Sequence, residues 1–156
     1  MIRILTIVLA LALLATTALA DRYKDCAQRK DPDLSIRACT EIIEGGARES
    51  DEQRALAYKN RGIAHYVNRD CDRAIIDLDR AIAINPNHAE AYEGRGICYA
   101  EKREYDRALL DFDRAIELNP KLGHAYYGRG IIYFAKGETA KANAEFAKAV
   151  ELMRQR

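Results

Sequence analysis

The chain has 156 residues, 49% hydrophobic and 31% charged, with 25 basic against 24 acidic side chains and a formal net charge of +1. That length suits one ordinary domain, and the apolar content excludes a disordered chain. The balanced charge gives no field that would draw in nucleic acid or an acidic membrane surface, so no nucleic-acid partner is expected. Only 3 prolines and 9 glycines interrupt a sequence dominated by Ala, Leu, Glu, Arg and Lys, which favours helices.

The first element is a leader. Met1-Ile2-Arg3 supplies a short positive start, and Ile4 to Ala15 is apolar apart from Thr6. The run closes on Ala18-Leu19-Ala20, a small-x-small cleavage pattern, and charged Asp21-Arg22 follows. These features predict a signal peptide over residues 1–20 and a mature, periplasmic or secreted chain that starts at Asp21. No stable membrane anchor is expected after cleavage. An uncleaved anchor is the alternative, because the apolar span is only slightly short of a crossing. Export also changes how the 4 cysteines read, since an even count in an oxidising compartment suggests disulfides.

Residues 21–54 read as a helical hairpin. Asp21 to Lys30 forms its first arm and Asp31 to Ile43 a short amphipathic helix, with Asp33 as N-cap and Gly45-Gly46 as the stop. Cys26 and Cys39 would face each other across this hairpin and form the favoured disulfide. Such a bond ties a weakly packed cap together by about 2–4 kcal/mol.

From Ala55 onward the sequence repeats with one register, in units 55–88, 89–122 and 123–156. Each unit carries a tyrosine (Tyr58, Tyr92, Tyr126) shortly before a glycine (Gly62, Gly96, Gly130). An alanine (Ala74, Ala108, Ala142), a large apolar residue (Leu78, Phe112, Phe146) and a second alanine (Ala81, Ala115, Ala149) follow. Apolar residues recur at three and four residue intervals, so every unit holds two amphipathic helices. The breaks between them fall at Arg69-Asp70, Arg103-Glu104 and Gly137-Glu138, and Asn85-Pro86 and Asn119-Pro120 end the first two units. Small residues stand where antiparallel helices must approach closely. One such pair cannot bury both faces, so neighbours must stack into an α-solenoid, an all-α fold.

The period and its Tyr, Gly, Ala, Leu/Phe, Ala, Pro order resemble the tetratricopeptide repeat, over three full units with residues 21–54 as a fourth, degenerate one. An arginine precedes each glycine (Arg61, Arg95, Arg129), where the family often has leucine. Each is expected to pair across its hairpin with Asp77, Asp111 or Glu145, or a neighbour of that acid, worth about 1 kcal/mol if partly shielded.

The resemblance implies that first helices line a concave groove for a protein or peptide partner. Its lining would be Lys59, Ile63, Tyr66 and Val67, then Glu93, Ile97, Ala100 and Glu101, then Tyr127, Ile131, Phe134 and Ala135. Lys59 matches the lysine of the family's clamp for a terminal carboxylate, but Ile63, Ile97 and Ile131 stand where asparagine is needed. An apolar floor suits a peptide with hydrophobic anchors; the isoleucines could instead pack between adjacent helices. The last unit ends without a further helix over Phe146, Ala149 and Val150, so self-association is a second expectation.

Cys71 opens one second helix and Cys98 lies in the next first helix, so they should pack together, either bonded or as buried thiols. No C-x-x-C pair occurs to activate a thiol. His65 takes the place of Tyr99 and Tyr133 and reads as interior, while His88 lies in a connection and His124 beside the groove. None has metal-ligand spacing, and no nucleophile motif occurs. No metal, cofactor or enzymatic activity is expected. The expected function is a non-catalytic adaptor in the cell envelope, with a self-assembling subunit as the alternative.

Overall fold

A computed structural model describes residues 20–155, so the expected signal peptide lies outside the described residues but for Ala20. Helix α1 covers residues 20–27. It is followed by α2 (Pro32–Glu44), a 3-10 turn (Gly46–Arg48), α3 (Asp51–Val67), α4 (Cys71–Ile84), α5 (Ala89–Glu101), α6 (Tyr105–Leu118), α7 (Gly123–Ala135) and α8 (Thr139–Arg154). No strand occurs among the described residues, and the helix pairs stack as a solenoid.

Local chemistry sets the helix ends. Asn85 and Asn119 are extended caps (φ −128° and −143°), the geometry forced on a residue before proline. Within each pair the chain reverses through a left-handed residue: Arg69 (φ 63°), Arg103 (φ 61°) or Gly137 (φ 78°). The two arginines cost about 1 kcal/mol each in this conformation, and Gly137 avoids that cost. Ser50 and Gln53 form a capping box on α3. The N-cap of α2 is Asp31 rather than the expected Asp33: its Oδ1 accepts from Leu34 N at 2.9 Å. Pro32 then fills the first helical position, where a missing N–H costs nothing, and Asp33 sits in the first turn.

The large residues of α4 and α6 are each held between two glycines. A Cβ on Gly62 would come within 2.9 Å of Leu78 from its own unit, and one on Gly94 would lie 3.4 Å from Leu78 in the next. Phe112 is confined more tightly, with 3.0 Å to a Cβ on Gly96 and 2.5 Å to one on Gly128. Both Leu78 and Phe112 are fully buried, with Ala74, Ala81, Ala108 and Ala115 around them. Burying such a side chain contributes about 2–3 kcal/mol, which only close helix approach delivers.

First helices α3, α5 and α7 contact one another directly, whereas α4, α6 and α8 make no comparable contact. The stack therefore curves toward the first helices. At the amino-terminal end α2 packs on α3, and Cys26 is bonded to Cys39 with Cα atoms 4.7 Å apart, as favoured from the sequence. Ile42, Ala38 and Ala57 close that core. Glu49 ties α1 down, accepting from Arg22 Nη2 at 2.7 Å and from the Tyr23 hydroxyl.

The repeated arginines form a ladder. Arg61 donates to both oxygens of Asp77 (2.8 and 2.8 Å), and Arg95 does the same to Asp111 (2.8 and 2.7 Å). Each guanidinium also reaches back to the preceding second helix: Arg95 to Asp79 at 2.5 Å, Arg129 to Asp113 at 2.6 Å, and Arg61 to Thr40 at 2.9 Å. It lies over the tyrosine of its own helix, Tyr58, Tyr92 or Tyr126. Hydrogen bonding to the carboxylates raises the Arg61 and Arg95 pKa values further. The expected pairs thus form, and each extends to a second acceptor that joins adjacent helix pairs.

Candidate functional site

Two adjoining cavities open along the first helices. The larger, about 390 Å³, is lined by Ile97, Ala100 and Glu101 of α5, Tyr127 and Ile131 of α7, Tyr66 of α3 and Tyr105 of α6. Phe112 underlies its floor, fully buried, with only the backbone of Gly128 over the ring. The smaller, about 250 Å³, is lined by Lys59, Ile63, Tyr66 and Val67 of α3 and Glu93 and Ile97 of α5, with Leu78 at its floor beside Gly94. Tyr66, Ile97 and His124 line both, so one continuous groove results.

Ten of the twelve residues expected to line a groove are therefore brought together. Phe134 and Ala135 line neither cavity; they lie exposed at the end of α7, past the last wall the fold supplies. The sequence reading also missed the floor. Gly94 and Gly128 share one register position, occupied by Asn60 in the first unit, and that glycine pair was the available signal. Arg29 and Glu90, outside the expected lining, also border the smaller cavity.

The two cavities differ in polarity. The larger holds one carboxylate, Glu101, which lies 3.7 Å from Arg69 and accepts from Cys71 Sγ at 3.5 Å. The smaller holds Arg29, Lys59, Glu90 and Glu93. Lys59 is buried, and burial pushes its pKa down; Glu90 opposes that shift and Arg29 adds to it. His124 Nδ1 lies 3.8 Å from Glu93 Oε1. A peptide lying along the groove meets an apolar pocket at one step and opposed charges at the next.

Elsewhere, His65 Nε2 lies 3.7 Å from Asp77 Oδ2, and burial lowers its pKa, which suits an interior histidine. Cys71 and Cys98 are free thiols, the former half-buried and the latter buried. No group of three His, Cys, Asp or Glu side chains that could hold a metal occurs among the described residues. No described helix is long and apolar enough to cross a membrane.

Stacked antiparallel helix pairs with a groove along their first helices define a helical repeat scaffold built for protein–protein interaction. The tetratricopeptide repeat model matches residues 59–122 and 102–155, and the chain belongs to that family. No curated relative matches. Among solved structures, the crystal structure of MamA is similar at 29% identity and a TM-score of 0.66, over 80% of this chain and 70% of that one. The second tetratricopeptide repeat of Spaghetti (RPAP3), bound to the HSP90 peptide SRMEEVD, is similar at 26% identity and a TM-score of 0.62, over 65% of this chain and 94% of that one. The OM64 tetratricopeptide domain of Arabidopsis shares the fold at 24% identity and a TM-score of 0.65, over 69% of this chain and 88% of that one.

Proposed function

We propose that this chain is an exported adaptor of the cell envelope that holds a segment of a protein partner in the groove along α3, α5 and α7. The partner anchors an apolar side chain over Phe112 and sets a polar residue beside Lys59 and Glu93. The two adjoining apolar cavities, one of them edged with charges of both signs, carry this reading. A structure of similar fold holding a bound peptide supports it. Ile63, Ile97 and Ile131 replace the asparagines of a carboxylate clamp, which points to apolar anchors rather than a terminal carboxylate as the main contact.

The test is a crosslinked pull-down from the native compartment, comparing the wild type with a variant in which Ile63, Ile97 and Ile131 are all lysine. Circular dichroism checks that the variant folds. Loss of the partners supports the groove; equal recovery by a folded variant removes it. The mass of the purified native chain tests export, since cleavage after Ala20 leaves Asp21 first.

One observation favours a second reading, self-association through the terminal pair. Phe146 occupies the register position of buried Leu78 and Phe112 but is only half-buried, and Val150 (48% exposed) and Met153 (38%) lie open beside it. Residues 123–156 carry six basic against three acidic residues, and residues 21–54 nine acidic against seven basic. The last unit is thus net basic and the amino-terminal hairpin net acidic, which suits a second copy's hairpin as the occupant. Light scattering reads the outcome: an oligomer that Val150→Glu reduces to monomer supports this contact, and a wild-type monomer rejects it.

A further inference from the structure

We propose that Cys71 and Cys98 form an inter-repeat disulfide by exchange with an oxidised dithiol carrier, stapling α4 to α5. The fold itself brings the two cysteines to one core cluster. Cys71 is the first residue of α4 and packs against the core cluster in which Cys98 of α5 is buried. One repeat further on, Tyr105 and Ile132 occupy the same two register positions and join one core cluster. The packing is therefore a feature of the repeat geometry, and at this junction both register positions hold cysteine. A parallel ion pair marks both junctions, Asp72 with Lys102 here and Asp106 with Lys136 at 2.8 Å there.

Access gives the pair an order of reaction. Cys71 is partly exposed and Cys98 is fully covered. Burial raises both thiols above their ordinary range, so exposure rather than acidity makes Cys71 the first to react. The Cys71 thiolate attacks the carrier's disulfide, forming a mixed disulfide and expelling one carrier sulfur as thiolate. Cys98 then gives up its proton and attacks the Cys71 sulfur, and the second carrier sulfur leaves. One disulfide is formed and one is reduced, and the two protons end on the carrier's thiols. Cys71 no longer donates to Glu101, which frees that carboxylate toward the larger cavity.

The experiment incubates the full chain with oxidised glutathione as the probe, unfolds it in acid with a thiol-blocking reagent, and maps peptides by mass spectrometry. The expected result is a Cys71–Cys98 linked peptide, no blockable thiol, and an intact mass lower by about two hydrogens than the form with one disulfide. Cys98→Ala should retain glutathione on Cys71, and Cys71→Ala should leave Cys98 unmodified. Two blockable thiols after the same treatment overturn the proposal. So does glutathione that stays on Cys71 of the unaltered chain, or a link from Cys71 to Cys26 or Cys39.

Discussion

The two ends of this solenoid are finished differently. At the amino-terminal end, α2 covers α3, a disulfide joins Cys26 to Cys39, and Ile42 and Cys39 are completely buried. In the last pair, α8 keeps the repeat's own residues, no helix covers them among the described residues, and Phe146 rests against Tyr127 with ring centroids 5.4 Å apart. The ladder changes too: Glu145 replaces aspartate and takes both contacts from one nitrogen of Arg129, leaving Arg129 Nε buried without a partner. A repeat residue is thus worth what its neighbours make of it. A phenylalanine at one register position is fully buried in α6 and only half-buried in α8.

Substitutions sharpen that contrast. The largest effect is expected at Phe112→Ala, which empties a fully enclosed site and should cost about 4 kcal/mol in urea unfolding. Phe146→Ala, at the equivalent position, should cost about half as much. Equal losses would mean that the terminal face is covered in solution.

Cys39→Ala opens the tie at the finished end and should cost about 3 kcal/mol under oxidising conditions, with little difference from the wild type in reductant. A loss that persists in reductant would assign the effect to packing around Ile42 instead.

Next comes the ladder. Arg95→Leu strands Asp111, which is 5% exposed, and should cost about 2 kcal/mol, whereas Arg129→Leu should cost about 1 because Glu145 reaches solvent more easily. Unchanged stability of the Arg95 variant would show that the pairs add nothing.

The smallest effect is a gain. Burial depresses the Lys59 pKa, so the folded state disfavours its charge, and Lys59→Met should stabilise the chain by about 1 kcal/mol near neutral pH. The sign follows from linkage: below the depressed folded pKa the charged form penalises folding. That penalty fades as pH rises through the folded pKa toward the unfolded value, so the gain should shrink in alkaline buffer. A constant gain would tie the effect to packing alone.

Much of the fold was legible because a repeat states its constraints more than once. Glycine, alanine and Asn-Pro at one register mark helix contacts and helix ends directly, and the Arg61–Asp77 and Arg95–Asp111 pairs follow from that register. The cap at Asp31 was misread by two residues, because Asp31 and Asp33 are chemically alike and only the placement of Pro32 separates them. The groove's walls were legible, but its floor was not. That Leu78 and Phe112 underlie the cavities depends on how closely Gly94 and Gly128 approach them from the next unit.

The sequence by itself determined the helices, their pairing and the positions of the repeated contacts, because period and side-chain size act locally. Only the tertiary structure decided which cavities open and that Leu78 and Phe112 underlie them. Those outcomes depend on distances between helices far apart in the chain, and such distances are set by the packing of the whole stack.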